Sequence, residues 1–344
     1  MRIDRLCITQ PRRAELQSHE EPAVDLPADA IEGVTLASAV SPGTEIGWAF
    51  AGNDPSRLPY YPGYASAMRV TKVGSNCGRD GRTSDAEHGF AVGDVVYCSA
   101  GHRSHVRCKA HEAWRVPAGL SAADATIARL AAVSWSTLTT TSARPPDRVV
   151  VLGLGIVGNL AAQNFAAAGY RVLACDPVAG RRALLDGLGI ETRERLPLAD
   201  PTWADQTSLV VDCSGHEAAV LDACKLVRKG GEVVLVGVPW VKRTELTAFD
   251  LLHLVFHRYV NLRSGWEWSV PGEPSDFRSG SIRANLEGAL RALATGRLRT
   301  TGLYHLADPR APEPAYLELM GQGGGHLTAV FDWTLLDARD GAST

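Results

Sequence analysis

The residues with the clearest chemical meaning are three glycines near the middle of the chain. They lie in the segment Gly153, Leu154, Gly155, Ile156, Val157 and Gly158, which follows an apolar run and precedes an alanine-rich stretch. In this spacing the first glycine permits a tight turn, the second lets the backbone approach a pyrophosphate, and the third lets a helix pack closely on a strand. The free N–H groups and the dipole of a helix that starts at Ile156 favour an anion there. The segment therefore predicts a loop that binds the phosphates of a dinucleotide.

An acidic residue downstream indicates which dinucleotide this loop binds. A second apolar run ends at residue 175, and Asp176 and Pro177 follow it. A carboxylate in this place can accept hydrogen bonds from both adenosine ribose hydroxyls and repels a 2′-phosphate, so we expect NAD rather than NADP. We count Pro177 and Arg181 among the cofactor-binding residues, and Arg181 with Arg182 leaves open a partial fit for the phosphate. The alternatives are that both arginines are solvated helix residues and that the glycine segment is a turn that binds nothing.

The elements around these residues indicate the fold that positions them. From residue 148 onward, short apolar runs alternate with helical stretches. This pattern predicts parallel βαβ units in a doubly wound sheet covered on both faces, as in the Rossmann fold. Two further apolar runs end in turns at the carboxyl edge of the sheet, where dinucleotides bind through backbone contacts. These turns consist of Cys213, Ser214 and Gly215, and of Gly237, Val238 and Pro239.

Length and composition limit the classes of protein to consider. With 344 residues, 45% hydrophobic residues and a formal charge of −3, the chain can fill two cores and has no field strong enough to attract nucleic acid or a membrane surface. The first ten residues do not resemble a signal peptide, and no run is long enough to span a membrane. The seven cysteines contain no CxxC pair, which is typical of reduced thiols. We expect a cytoplasmic protein with a small-molecule substrate and a homodimeric assembly.

A change in the sequence pattern near residue 118, from short β-type runs to an alanine-rich helix, predicts the domain boundary. Residues 1–118 alternate short β-type runs with Gly and Pro, whereas an alanine-rich helix follows, opened by Ser121 with Asp124 three residues later. We expect residues 119–268 to form the dinucleotide-binding domain. Residues 269–344 should then return to the first domain.

Over nearly its whole length, the chain resembles the medium-chain dehydrogenase/reductase superfamily. The motifs that carry the resemblance are Ser41 to Glu45 (SPGTE), Tyr61 to Tyr64 (YPGY), Val73-Gly74, Gly93 to Val96 (GDVV), the glycine segment, and Gly230 to Pro239 (GGEVVLVGVP). The first two motifs look most like the branch of hydroxyethyl-bacteriochlorophyllide dehydrogenase-like proteins. This branch-level resemblance does not extend to the pigment substrate. The resemblance implies a GroES-like β domain joined to a Rossmann domain, and hydride transfer between a nicotinamide and a small organic substrate.

The residues that bind catalytic zinc in this superfamily are replaced here. Zinc-dependent members carry a Cys-Gly-Thr-Asp type motif, then Gly-His-Glu, then a third Cys or Asp. The corresponding residues of this chain are Pro42, Tyr64 and Leu130. Because catalytic zinc needs about three protein ligands and an open position, we expect no catalytic zinc. The four-cysteine lobe that binds structural zinc is also missing.

A separate cluster could bind a metal on its own. Cys98, His102, His105, Cys108 and His111 fall within one short stretch, and Cys and His at such intervals can form a tetrahedral zinc site. The alternative, which we favour, is a connection between two strands whose neighbouring side chains point to opposite faces.

Without zinc, hydrogen-bond donors must stabilise the charge on a reacting carbonyl oxygen and then protonate it. The resemblance places Thr44 at a proton-relaying hydroxyl, Tyr64 at a zinc-ligand position, and Ser134 near the nicotinamide. Glu45 either orients Thr44 and Tyr64 or holds the domain together. The alternatives without a chemical role are a turn residue for Thr44 and a half-buried aromatic side chain for Tyr64. For an apolar substrate pocket we name the aromatic residues Trp48, Tyr60, Trp266 and Trp268, although buried structural tryptophans would give the same pattern.

Three functions remain open at this point. The favoured one is a zinc-independent, NAD-linked enzyme that interconverts a secondary alcohol and a ketone, which the hydroxyl of Thr44 supports. The second is an enoyl or quinone reductase, although such relatives usually carry an Asn-Pro-x-Asp type motif where this chain has Ser-Pro-Gly-Thr. The third is a dinucleotide-binding protein that catalyses nothing.

Overall fold

The computed structural model describes residues 1–22, 24–77, 89–321 and 325–337. Contacts divide the chain into unit 1, Met1–Ile127 with Tyr304–Thr344, and unit 2, Ala128–Leu303. Within the described residues, no helix combines the length and the apolar composition that a membrane crossing requires.

Fifteen strands lie along the described chain. They are β1 (Arg2–Gln10), β2 (Arg13–Glu20), β3 (Ala30–Ala39), β4 (Ser66–Val73), β5 (Val95–Cys98), β6 (His105–Lys109), β7 (Ala113–Arg115), β8 (Arg148–Leu152), β9 (Arg171–Cys175), β10 (Glu191–Arg193), β11 (Thr207–Asp212), β12 (Val227–Leu235), β13 (Asn261–Ser264), β14 (Tyr304–Ala307) and β15 (Thr328–Asp332).

The α-helices are eight in number within the same residues. They are α1 (Ala122–Thr140), α2 (Ile156–Ala167), α3 (Ala179–Ala183), α4 (Glu217–Leu226), α5 (Ala248–Arg258), α6 (Ile282–Ala294), α7 (Pro312–Met320) and α8 (Thr334–Asp337). A π-helix spans Pro42–Phe50, and short 3₁₀ helices span Pro55–Arg57, Ala110–Glu112 and Glu267–Ser269.

Unit 1 is mostly antiparallel. A hairpin joins β1 to β2, and a larger sheet runs in the order β14, β15, β3, β4, β5, β7, with β6 also paired to β3. Within this sheet only β14 and β15 run parallel. The aromatic side chains of Phe50, Tyr316 and Phe331 are buried together in one core of this unit. This is the β domain that the resemblance implies.

Unit 2 contains a six-stranded parallel sheet in the order β10, β9, β8, β11, β12, β13. Alternate residues of β8 enter two different cores: Val149 and Val151 pack on one face, Val150 and Leu152 on the other. The sheet is therefore covered on both faces, which confirms the doubly wound fold. The strand order reverses between β8 and β11, and such a switch point is where α/β sheets bind ligands.

The ends of unit 2 differ from the expected boundaries at residues 118 and 268. Residues 269–303 belong to unit 2 by their contacts, although we expected them to return to the first domain. Helix α6 explains the difference, because Asn285 Nδ2 donates to Ser136 Oγ on α1 at 3.2 Å. Gly288 of α6 lies against the ring of Trp135, so closely that an added Cβ would overlap it. Only the chain from Tyr304 onward returns to unit 1.

Candidate functional site

Two of the three glycines in the predicted dinucleotide loop are required by the packing of unit 2. Gly153 follows β8 with φ of +84°, and a Cβ there would lie 2.8 Å from the Ser214 backbone. A Cβ on Gly158 would lie 1.8 Å from the carbonyl oxygen of Gly153. Both positions therefore exclude a side chain for reasons internal to the protein.

The middle glycine is different. Gly155 precedes α2 with φ of −61° and ψ of −178°, a conformation open to any residue. A Cβ added to it would meet no atom within 4 Å. The protein's own atoms thus leave free space where the N–H groups of α2 begin, and packing within the described residues does not require a glycine there.

Asp176 lies at the end of β9 and is buried. Its Oδ2 accepts the Leu154 N–H at 2.7 Å, and its Oδ1 accepts the Val178 N–H at 2.8 Å. Arg181 Nη1 lies 3.5 Å from Oδ2, while Arg182 donates to the Asp176 carbonyl at 2.6 Å. The carboxylate therefore holds the glycine loop in place, and it keeps acceptor capacity beyond these bonds. Pro177 lies between Asp176 and Val178, which this hydrogen bond joins.

The two predicted turns meet beside this loop. A Cβ on Gly215 would lie 2.5 Å from the Val238 carbonyl oxygen, and one on Gly237 would lie 2.4 Å from the Gly215 nitrogen. Together with the contact between Gly153 and Ser214, this brings both turns to the carboxyl edge of the sheet, as we expected from the sequence. Cys213 donates its N–H to Leu152, and burial raises the pKa of its thiol. Pro239 is exposed.

Asp212, which we did not single out in the sequence, organises these turns from the end of β11. The Asp212 Oδ1 accepts two hydrogen bonds from Ser214, one from its N–H at 3.0 Å and one from its hydroxyl at 2.5 Å. The Asp212 Oδ2 accepts the Gly215 N–H at 3.3 Å. Its carbonyl oxygen accepts the N–H groups of Val236 and Gly237. Burial raises the pKa of Asp212, and these hydrogen bonds oppose that shift. Its signal in the sequence was the same as that of Asp176, an acid at the end of an apolar run.

Ser134 and Leu130 lie on α1 and are both buried. The Ser134 hydroxyl accepts a hydrogen bond from Asn164 Nδ2 at 2.8 Å and donates to the Ala131 carbonyl. This hydroxyl therefore joins α1 to α2, and its place beside a nicotinamide stays a prediction. Leu130 presents only an aliphatic side chain.

In unit 1, the start of the π-helix brings together the hydroxyl residues. The Tyr64 hydroxyl donates a hydrogen bond to Ser41 Oγ. Thr44 donates its N–H to the Ser41 carbonyl at 3.1 Å, and its half-buried hydroxyl bonds to none of the described residues. Ser41 thus links the two predicted catalytic residues. π-helices are rare, and they are frequent at functional sites.

Glu45 lies under this group with none of its side chain exposed. Its Oε1 accepts the Ser41 N–H at 2.7 Å. Its Oε2 lies 3.0 Å from His102 Nε2 and accepts the Tyr316 hydroxyl at 2.6 Å. Burial, together with Glu45, raises the pKa of Tyr316 well above its usual range. Glu45 therefore positions Ser41, which in turn bonds to both Thr44 and Tyr64.

The predicted Cys/His cluster does not gather at one point. His102 turns to Glu45 and, through Nδ1, to Ser38 Oγ at 2.7 Å. Cys98 lies beside Cys108, and the hydrogen bond between them raises the pKa of the Cys98 thiol together with burial. His105 lies 3.1 Å from Ser104 Oγ, while His111 lies 4.0 Å from Glu112 at the surface. Four different environments thus surround the five side chains.

Of the predicted pocket aromatics, two pack against each other. The rings of Trp48 and Tyr60 meet edge to face at 5.0 Å in unit 1. Burial, with smaller effects from Glu45 and Tyr64, raises the pKa of Tyr60 to about 12, so its hydroxyl stays protonated. In unit 2, Trp266 and Trp268 are each 59% exposed, which excludes the buried structural role we considered for them.

Comparisons with known proteins agree with this architecture. A family model described as zinc-binding dehydrogenase matches residues 157–267. A glucose 1-dehydrogenase from Metallosphaera sedula is 26% identical over 196 residues, a match that covers 54% of this chain and 48% of that relative. The chain thus spans about half the length of this relative.

Solved structures match almost the whole fold. Galactitol-1-phosphate dehydrogenase from Escherichia coli has a TM-score of 0.74 at 15% identity, covering 96% of this chain and 99% of that one. Acetophenone reductase from Geotrichum candidum, solved in complex with NAD, has a TM-score of 0.71 at 15% identity, covering 96% and 97% of the two chains. At such low identity the likeness concerns the fold.

Proposed function

Because the chain belongs to the medium-chain dehydrogenase/reductase superfamily of alcohol dehydrogenase-like proteins, we propose that it is an NAD(H)-dependent oxidoreductase that interconverts a secondary alcohol and a ketone without catalytic zinc. The observation that carries this proposal is the free space at Gly155, between a tightly packed loop and the start of α2. A nicotinamide dinucleotide bound there would supply or accept the hydride. The physiological substrate is a small organic molecule.

The residues around this space have the properties that such a cofactor needs. The N–H groups at the start of α2 meet the pyrophosphate with the positive end of the helix dipole. The turns at Ser214 and Val238 border the same edge of the sheet and offer backbone groups. The carboxylate of Asp176 is fixed by the loop itself, so it is ready to accept ribose hydroxyls without rearrangement.

We expect Asp176→Ser to reverse part of the cofactor preference. The change removes the negative charge that repels a 2′-phosphate, and Arg181 is already beside it. Efficiency, measured as kcat/KM, should fall roughly tenfold with NADH and rise with NADPH. Asp176→Asn is the matched variant, because its amide oxygen can still accept the Leu154 N–H while the charge is lost. A wild-type protein that already prefers NADPH would contradict this role of Asp176.

The residues at the zinc positions do not fit the ion. Pro42 has no side-chain donor atom, Leu130 is aliphatic and buried, and the Tyr64 hydroxyl is engaged with Ser41. Zinc therefore takes no part in the proposed reaction. In its place, the Tyr64 hydroxyl would turn from Ser41 Oγ and donate its proton to the carbonyl oxygen as charge develops, and Thr44 would supply a second hydroxyl.

Ketone reduction should accordingly survive the removal of metal ions. After dialysis against a strong chelator, we expect the rate to stay within about twofold of the untreated protein. Elemental analysis before and after dialysis gives the metal content. A rate that collapses on dialysis and returns only with added zinc would refute zinc independence.

A panel of substrates tests the reaction itself. We expect simple ketones to oxidise added NADH, and the corresponding secondary alcohols to reduce NAD⁺. Oxidation of NADH by enones or quinones alone would point to the double-bond reductase. Binding of NAD with no turnover on any carbonyl compound would point to the non-catalytic protein.

We also propose that the protein is a cytoplasmic homodimer. On α5, Phe249 and Phe256 are 70% and 75% exposed and lie on one face with the exposed Leu252. Apolar stripes of this kind mark association surfaces. Phe256→Glu should convert the dimer to a monomer in sedimentation experiments, whereas a monomeric wild-type protein would contradict the proposal. All seven cysteines are free thiols, as expected for a reducing compartment.

A further inference from the structure

Two histidines and one glutamate that no earlier step uses converge in unit 1. His305 lies on β14, Glu318 lies on α7, and His326 precedes β15. The Nδ1 atom of each histidine lies 3.7 Å from Glu318 Oε1. All three donor atoms lie within 4.8 Å of one another, and the two imidazole rings are 5.1 Å apart.

These distances suit a shared ion better than hydrogen bonds. A separation of 3.7 Å is too long for a hydrogen bond between nitrogen and oxygen. In a tetrahedral zinc site, bonds of about 2.0–2.2 Å place neighbouring donors about 3.4 Å apart. The two separations between histidine and glutamate exceed this value by about 0.3 Å, and the two histidine donors, which lie within 4.8 Å of each other, would need to approach by up to about 1.4 Å.

An unsatisfied atom supports the same conclusion. The His305 Nδ1 is buried and has no hydrogen-bond partner among the described residues. Leaving a buried polar nitrogen unpaired costs free energy, and each such atom in a folded protein needs an explanation. A metal ion at the centre of the three donors would supply the missing partner.

The backbone fixes two of the ligands. Strands β14 and β15 pair in parallel, with His305 opposite Ala329, so His326 enters this pair just before its first paired residue, Thr328. Glu318 and His326 are exposed, which leaves an open path for an ion and room for water as a fourth ligand.

We propose that His305, Glu318 and His326 bind a divalent transition-metal ion of the zinc class. Two imidazoles and one carboxylate suit Zn²⁺, Co²⁺ and Ni²⁺, whereas Mg²⁺ and Ca²⁺ prefer oxygen donors. The ion would join β14, α7 and the start of β15. Tyr316, also on α7, donates to the buried Glu45, so the ion would also fix the helix whose tyrosine holds Glu45 in place. Its role is structural, and ketone reduction does not depend on it.

The test is a titration of untagged, chelator-treated protein with Zn²⁺ by calorimetry and with Co²⁺ by visible absorption. We expect one ion per chain, ligand-field bands from Co²⁺, and a higher melting temperature with metal. Glu318→Gln and His326→Ala should each weaken binding at least about tenfold and abolish the rise in melting temperature. Both residues are exposed, so the variants should fold, which circular dichroism checks.

Two control variants address other places where zinc could bind. His253→Ala disrupts an exposed histidine pair on α5, whose rings are 4.3 Å apart, and Cys108→Ser disrupts the thiol pair with Cys98. Both should bind zinc like the wild-type protein. The proposal is overturned if no binding saturates below about 1 mM, or if Glu318→Gln and His326→Ala both bind zinc as the wild-type protein does.

Discussion

Gly155→Val should yield a folded protein that no longer binds NAD. The backbone of Gly155 has an ordinary conformation, and a side chain there meets no protein atom within 4 Å, so folding should be unaffected. The valine would instead occupy the space where the pyrophosphate must approach the N–H groups of α2. We expect the affinity for NAD, measured by calorimetry, to fall at least about 100-fold.

The matched control is Gly272→Val in the same unit. Gly272 also has open space around its Cβ position and no positive φ, so the two variants differ only in where the valine lies. Gly158→Ala provides the contrast, because its methyl group would overlap Gly153 and should lower the free energy of unfolding. A folded Gly155→Val protein with unchanged affinity would remove the basis for the dinucleotide site.

Tyr64→Phe should retain NAD binding and lose roughly 10²-fold or more in the rate of ketone reduction. The phenylalanine keeps the ring but removes the hydroxyl that is bonded to Ser41 and that we place against the developing oxyanion. Because that interaction forms mainly in the transition state, kcat should fall while KM changes little. Thr44→Val should have an effect of the same kind if its hydroxyl relays the proton.

Tyr61→Phe is the matched control for this prediction. Tyr61 belongs to the same motif, but its exposed hydroxyl donates to Gln17 Oε1 at 3.2 Å, outside the proposed site. Its variant should keep the wild-type rate. Full activity in both Tyr64→Phe and Thr44→Val would show that the proton comes from another source and would favour the double-bond reductase.

The conformation of the glycine segment was predictable because its determinants are local. The spacing of the three glycines placed the start of a helix at Ile156, where α2 begins. Continuous apolar runs predicted a sheet covered on both faces, and the alternate residues of β8 do enter two cores. In each case, a few consecutive residues determine both the conformation and the burial.

The network under the π-helix was not predictable in the same way. Glu45 bonds to Tyr316, a residue 271 positions away in the sequence. His102 belonged to a group of cysteines and histidines whose spacing suggested a metal, and only the fold turns it toward Glu45 and Ser38. Such contacts depend on which strands become neighbours in the fold. The spacing of side chains along the chain does not determine this. The ligands His305 and His326 escaped notice for the same reason.

Hydride transfer to a carbonyl carbon can be distinguished from transfer to a double bond with one class of substrate that offers both reactive positions. NADH with deuterium at C4 of the nicotinamide is incubated with α,β-unsaturated ketones, and the position of the label in the product is read by mass spectrometry and NMR. We expect deuterium on the former carbonyl carbon, in an allylic alcohol. Deuterium on the β-carbon of a saturated ketone would contradict it.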